Sequence, residues 1–232
     1  MPKFEQFNHL YAAFLMVIDR CILHERSILW PEQMLWTIEN LQLLKDRFIN
    51  SPILDKTLSF EEKLVLQLGD DQPQLWSIVA DVYYIFYLPS TLWHFDTKIK
   101  GIRQFSERTS SGLPNNQSEI WKPMERGFCN TGRRYNQKYR QFWLLINFFL
   151  EIKNEGNAEE ILSQRESFQN LLDREMNEFN AIDRAYDMRH AILYLTFPDF
   201  YEPIISQRHK EMIVNAFWNQ VGGEIPSDVD VA

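Results

Sequence analysis

Cysteine is nearly missing: Cys21 and Cys129 are the only two in 232 residues. That excludes a disulfide scaffold and fits a reducing compartment. Glycine and proline are also scarce, with 8 and 10 residues, or about 8% together against an ordinary share of about 12%. So few turn residues exclude an all-β sandwich and low-complexity disorder. No stretch approaches the roughly 18 apolar residues that a membrane span needs. The start, Met1-Pro2-Lys3-Phe4-Glu5, lacks the basic-then-apolar plan of a signal peptide. These absences together predict a cytoplasmic protein with no membrane partner.

The known catalytic signatures are missing too. There is no G-x-x-x-x-G-K-[ST] phosphate loop, no G-x-S-x-G elbow, no H-E-x-x-H pair and no C-x-x-C. His24, His94, His190 and His209 are scattered and read as core or surface histidines. One near-match is Pro198-Asp199 with Glu202 and Lys210, which have the residue types of a metal-dependent nuclease. Such a site needs an acid two positions before the lysine, on a strand, and Arg208 occupies that position in a helical context. The sequence therefore predicts no catalytic residue, no metal, no cofactor and no enzymatic activity for this chain.

Aromatic residues are abundant: 17 Phe, 9 Tyr and 7 Trp supply a large core. Thirty-two acidic residues against 24 basic give a net charge of −8, which argues against a general DNA coater.

Apolar spacing of three and four residues predicts a mostly α, single multi-helix domain of about nine or ten helices over residues 1–221. Residues 222–232 read as the start of a linker. The first helix is expected from Phe4 to Leu29 and the second from Pro31 to Phe48. Ser59 with Glu62 fits a capping box opening a helix to Leu68. Pro73 to Leu88 is apolar almost all round and reads as the central helix. Further helices are expected at Lys98–Arg108, with Gly101 as a weak point, and at Lys138–Lys153. Others are expected at Glu159–Glu178, Ile182–Leu195 and His209–Val221. The segment Ser110–Asn116 is the clearest loop.

Two basic constellations stand out. From Arg126 to Leu150 there is no acidic residue, while Arg126, Arg133, Arg134, Lys138 and Arg140 bring +5 to a −8 chain. Gly127, Asn130, Thr131 and Gly132 lie among them, and turn amides beside arginines can hold an anion such as phosphate. Tyr135 and Tyr139 could stack on bases. The bland alternative is that the arginines solvate the approach to a core helix. The second constellation joins Arg189 and His190 with Arg208, His209 and Lys210. With Ser206 as N-cap, Arg208, His209 and Lys210 fall in a helix's first turn, the wrong sign for its dipole. They would pair with Asp199 or Glu202, or hold an anion.

The run Leu195-Thr196-Phe197-Pro198-Asp199-Phe200-Tyr201-Glu202, continuing through Ile204, Ser206, His209, Lys210 and Ile213, resembles a segment upstream of the ATPase module in McrB-like AAA+ proteins. The pattern there is L-x-F-P-D-x-[FY]-E-x-I-x-S-x-x-H-K-x-x-I. Phe60–Leu64, Trp76, Ala80-Asp81, Lys98 and Gly127–Asn136 are similar in kind, so the resemblance covers about residues 60 to 230. It implies the N-terminal helical domain of a bacterial restriction or phage-defence ATPase. In such proteins target recognition precedes a hexameric motor that drives a separate nuclease. No Walker motif lies within the sequence. The expected function is therefore recognition: DNA or RNA held by Arg126, Arg133, Arg134, Tyr135, Lys138 and Arg140. The alternative is a protein-interaction domain for a nuclease subunit, a phage trigger protein or its own ATPase ring. For that role Trp30, Trp93 and Trp218 are the expected exposed aromatics.

Overall fold

Every residue from Leu75 to Leu88 is buried, although such a run could also suit a strand. Helical geometry wins because Pro73 starts the segment, where its missing N–H costs nothing. Fifteen residues then form α4 (Pro73–Tyr87). A helix with no polar face must be covered on all sides. The cover comes from α2 (Ile38–Phe48), α5 (Phe95–Ser106) and α7 (Lys138–Asn154). The computed structural model describes residues 4–109, 112–114, 118–179 and 184–221.

Around that centre run α1 (Asn8–Val17), α3 (Phe60–Leu68) and α6 (Lys122–Glu125). α8 (Ala158–Ser163), α9 (Arg165–Asn177), α10 (Tyr186–Thr196) and α11 (Gln207–Val221) complete the chain. The described residues thus contain eleven α-helices and no strand, with two isolated bridges. The mostly α reading holds, and the count exceeds the expected nine or ten because one expected helix is two and the short α6 is additional. Gln164 adopts φ −104° and ψ 110° and breaks the predicted Glu159–Glu178 run into α8 and α9. No glycine or proline marks that break. One continuous apolar core joins the elements from Phe7 to Ile205. No helix of the described residues is long and apolar enough to cross a membrane.

The first two helices differ most from expectation. α1 widens into a π-helix over Ile18–Leu23 and stops at His24. Glu25 then takes φ 58°, a left-handed conformation unusual for its type. The second helix starts at Ile38 rather than Pro31, with Thr37 capping the Asn40 N–H. Between them an irregular segment buries Trp30, Leu35 and Trp36. Its anchor is Asp81 of α4, fully buried and accepting from Ser27 Oγ, the amides of Ile28 and Leu29, and Trp36 Nε1. Burial pushes the Asp81 carboxyl up to about 7 against those four donors, which pull it down. Trp30, expected exposed, is 8% exposed, and its indole N–H donates to Gly112 O.

The capping box at Ser59 and Glu62 forms as the sequence predicts. Gly101 is a packing position: an added Cβ would lie 2.3 Å from Tyr87 Oη. The end of the predicted 110–116 loop, the start of the predicted Ile182–Leu195 helix and the predicted linker 222–232 lie wholly or partly outside the described residues.

Candidate functional site

The turn after α6 is shaped by one close approach. Gly127 passes the end of α4 so tightly that a Cβ would sit 2.3 Å from Pro89 O. The amides of Phe128 and Cys129 both donate to Pro89 O, and Thr91 N donates to Cys129 O. Ser90 Oγ and Thr131 Oγ1 close the staple at 2.7 Å. The amides of Phe128 and Cys129 are therefore spent on the fold and are not open to an anion. What the staple does is hold the following turn, Gly132-Arg133-Arg134, on the surface, with Gly132 in open space.

Facing it is the start of α11. Ser206 caps the helix as predicted, accepting from the His209 N–H at 3.3 Å. The turn and this helix start enclose a pocket of about 530 Å³, lined by Arg133 and Arg134 on one wall and by Ser206, Gln207, Arg208 and His209 on the other. Members of the two basic constellations, Arg133 and Arg134 of one and Arg208 and His209 of the other, more than seventy residues apart in sequence, therefore meet at one place. Arg133 and Arg208 are exposed and make no ion pair with any described residue. The first N–H groups of a helix lack intrahelical partners, and those of α11 belong to Gln207 and Arg208. Positive dipole and two guanidinium groups thus act in the same direction.

Asp187, from the first turn of α10, lines the same pocket. It is 9% exposed and accepts no hydrogen bond from a described residue. Burial raises its carboxyl to about 6, and the nearby Arg134 charge pulls it back down. Arg134 itself lies over the Tyr186 ring, 5.6 Å from its centroid, and donates to Arg184 O.

The start of α11 is held in place by a buried polar chain. Asp173 of α9 receives the Arg189 guanidinium through Nε and Nη2. Arg189 Nη1 then reaches His190 Nδ1 at 3.2 Å. An arginine can only donate, so Nδ1 accepts and Nε2 carries the proton, which it gives to Gln207 Oε1 at 2.8 Å. Arg189 thus takes its acid from α9. Arg189 is a positioning residue, 4% exposed, and Lys210 is also buried at 7%, so neither presents charge to a ligand.

Two members of the first constellation are also internal. Tyr135 is fully buried, stacked on Phe86, and donates to Phe86 O at 2.6 Å. It has no face left for a base. Lys138 is paired with Glu61 and lies over the Tyr83 and Phe60 rings. Burial pushes Glu61 up, but the bond and charge of Lys138 outweigh it and hold the carboxyl below its usual range. Arg126 is exposed and Arg140 partly so, and neither lines the pocket. The near-match to a nuclease gains nothing, because the described residues contain no group of acids and histidines that could hold a metal.

Sequence reasoning missed Asp187, Asp173 and Gln207. An acid two positions before Arg189 was the available signal for Asp187. Comparison of the chain with protein-family models, with curated proteins and with solved structures finds no match.

Proposed function

We propose that this chain is a non-catalytic recognition domain that binds nucleic acid through phosphate contacts, in a bacterial defence protein of the McrB-like AAA+ type. The observation that supports it is the meeting of Arg133 and Arg208 at one pocket beside the free start of α11. Such contacts depend on local charge, so a net charge of −8 does not oppose them. The family part of the reading rests on the Leu195–Ile213 pattern, with the weaker likenesses between residues 60 and 136. An ATPase module and a nuclease subunit are the partners it implies.

Fluorescence anisotropy with single- and double-stranded DNA and RNA at low salt tests the binding. The wild type is expected to bind with an affinity that falls steeply with salt, and Arg133→Glu/Arg208→Glu to lose it. Equal and negligible binding by both proteins refutes it.

A second reading has its own observation. Met212, Ile213 and Phe217 of α11 are 57%, 45% and 57% exposed, and Phe200 nearby in sequence is 61% exposed. These apolar groups favour a protein-interaction surface. Light scattering across a concentration series, with pull-down against the ATPase module and nuclease subunit, tests it: a strict monomer that retains neither counts against it.

A further inference from the structure

The pocket holds an acid where a simple phosphate site would have none. Three guanidinium groups, Arg133, Arg134 and Arg208, surround it, and Asp187 is nine-tenths buried in its lining with no hydrogen-bond donor supplied by the described residues. An anion alone leaves that carboxyl unsatisfied and repelled. A ligand with phosphate at one end and a donor group at the other satisfies both. The volume, about 530 Å³, is in the range of small-molecule sites, roughly 300–1,000 Å³.

We infer that this pocket takes a single nucleotide bearing a terminal phosphate, with the phosphate at the start of α11 between Arg133 and Arg208 and an exocyclic amino group of the base donating to Asp187. The inference rests on the nucleic-acid reading above and narrows it to a phosphate monoester. That group has two sources, a free nucleoside monophosphate or the 5′-phosphorylated end of a strand. A carboxylate accepts from the amino groups of adenine and cytosine, and meets a carbonyl oxygen in hypoxanthine and uracil. A base carrying a carbonyl there leaves Asp187 facing another acceptor.

The test is a set of titrations of the full chain. AMP, IMP, CMP and UMP are compared by calorimetry, and one oligonucleotide is compared with and without its 5′-phosphate by anisotropy. AMP and CMP are expected to bind about tenfold tighter than IMP and UMP, the discrimination of one satisfied base contact. Arg208→Glu is expected to abolish that binding. Asp187→Asn, whose amide can either donate or accept, is expected to bring the amino-to-carbonyl ratio close to one while the domain still melts cooperatively. Loss of stability alone cannot produce that change of ratio. Mononucleotide binding without a 5′-phosphate effect on the oligonucleotide assigns the free nucleotide; the effect on both assigns the strand end as well. Oligonucleotides that bind equally with and without the 5′-phosphate, beside mononucleotides that fail, overturn this inference and leave nucleic-acid binding standing. Mononucleotide binding that survives Arg208→Glu, or shows no amino preference, also overturns it. No binding by any probe removes both.

Discussion

Trp36 donates its indole N–H to the buried carboxylate of Asp81 at 2.8 Å, across 45 positions of sequence. The bond fastens an irregular segment to the central helix, and three further donors from Ser27, Ile28 and Leu29 share the same acid. Removing the acceptor strands the donors of Ser27, Ile28 and Trp36, while the Leu29 N–H keeps Ser27 Oγ. Asp81→Ala is therefore expected to cost about 3–5 kcal/mol, and Trp36→Phe about 1–3 kcal/mol. Urea unfolding of both variants measures this. Similar small losses in both would show that the carboxylate does not organise the segment.

Gly127 and Gly101 invite a direct comparison. An added Cβ at Gly127 meets backbone, Pro89 O and Ser90 C, which cannot move without α4. At Gly101 the nearest atom is the end of the Tyr87 side chain. Gly127→Ala is expected to destabilise more than Gly101→Ala, by at least about 1 kcal/mol. It is also expected to weaken phosphate binding, because the turn carrying Arg133 hangs from that crossing. Thermal melting ranks the stabilities, and the anisotropy assay reads the binding.

Lys98 is fully buried, and its amine has no hydrogen-bond partner among the described residues. Burial lowers it to about 8, with the Cys129 sulfur acting weakly in the other direction. A folded value below the unfolded 10.5 means that folding disfavours the charged form. The penalty is complete below pH 8 and fades as pH rises from 8 to 10.5. Lys98→Met is thus expected to be more stable than wild type at pH 7, by up to about 3 kcal/mol, with the gap closing near pH 10. Denaturant unfolding at pH 7 and pH 10 checks the sign. A variant less stable than wild type at pH 7 would mean that the amine has a partner that the fold supplies only in solution.

Lys138 separates local charge from available charge. Its ammonium is held by Glu61 between two aromatic rings, so it is spent on packing. Lys138→Met is expected to lower stability by about 1 kcal/mol and to leave nucleic-acid affinity within about twofold. Arg133→Met is expected to do the reverse. If both weaken binding equally, the pocket is not the contact surface.

The parts of the fold set by repeating chemistry could be read without coordinates. Pro73 to Leu88, the Ser59–Glu62 box and Lys138 to Lys153 follow from apolar period and capping alone. The boundaries that failed are set by tertiary bonds. Glu25 adopts a left-handed backbone with no glycine to announce it. Residues from Trp30 to Trp36 have helical spacing, yet their indoles bond elsewhere, to Gly112 and Asp81. The site was half legible for the same reason. A cluster of arginines in sequence does not disclose which ones an acid from another helix will take. Glu61 took Lys138 and Asp173 took Arg189, leaving Arg133 and Arg208 outside. The acid at the pocket, Asp187, carries no motif, and only its burial marks it.

The pocket's walls are moored to different parts of the chain: one to the end of α4 through Pro89 and Ser90, the other to α9 through Asp173, Arg189 and His190. A molecule lodged between them would act as a tie beam, joining the middle of the polypeptide to its last helix. Occupancy then carries a thermal signature by mass action, so a simple melting curve becomes a screen for whatever fits.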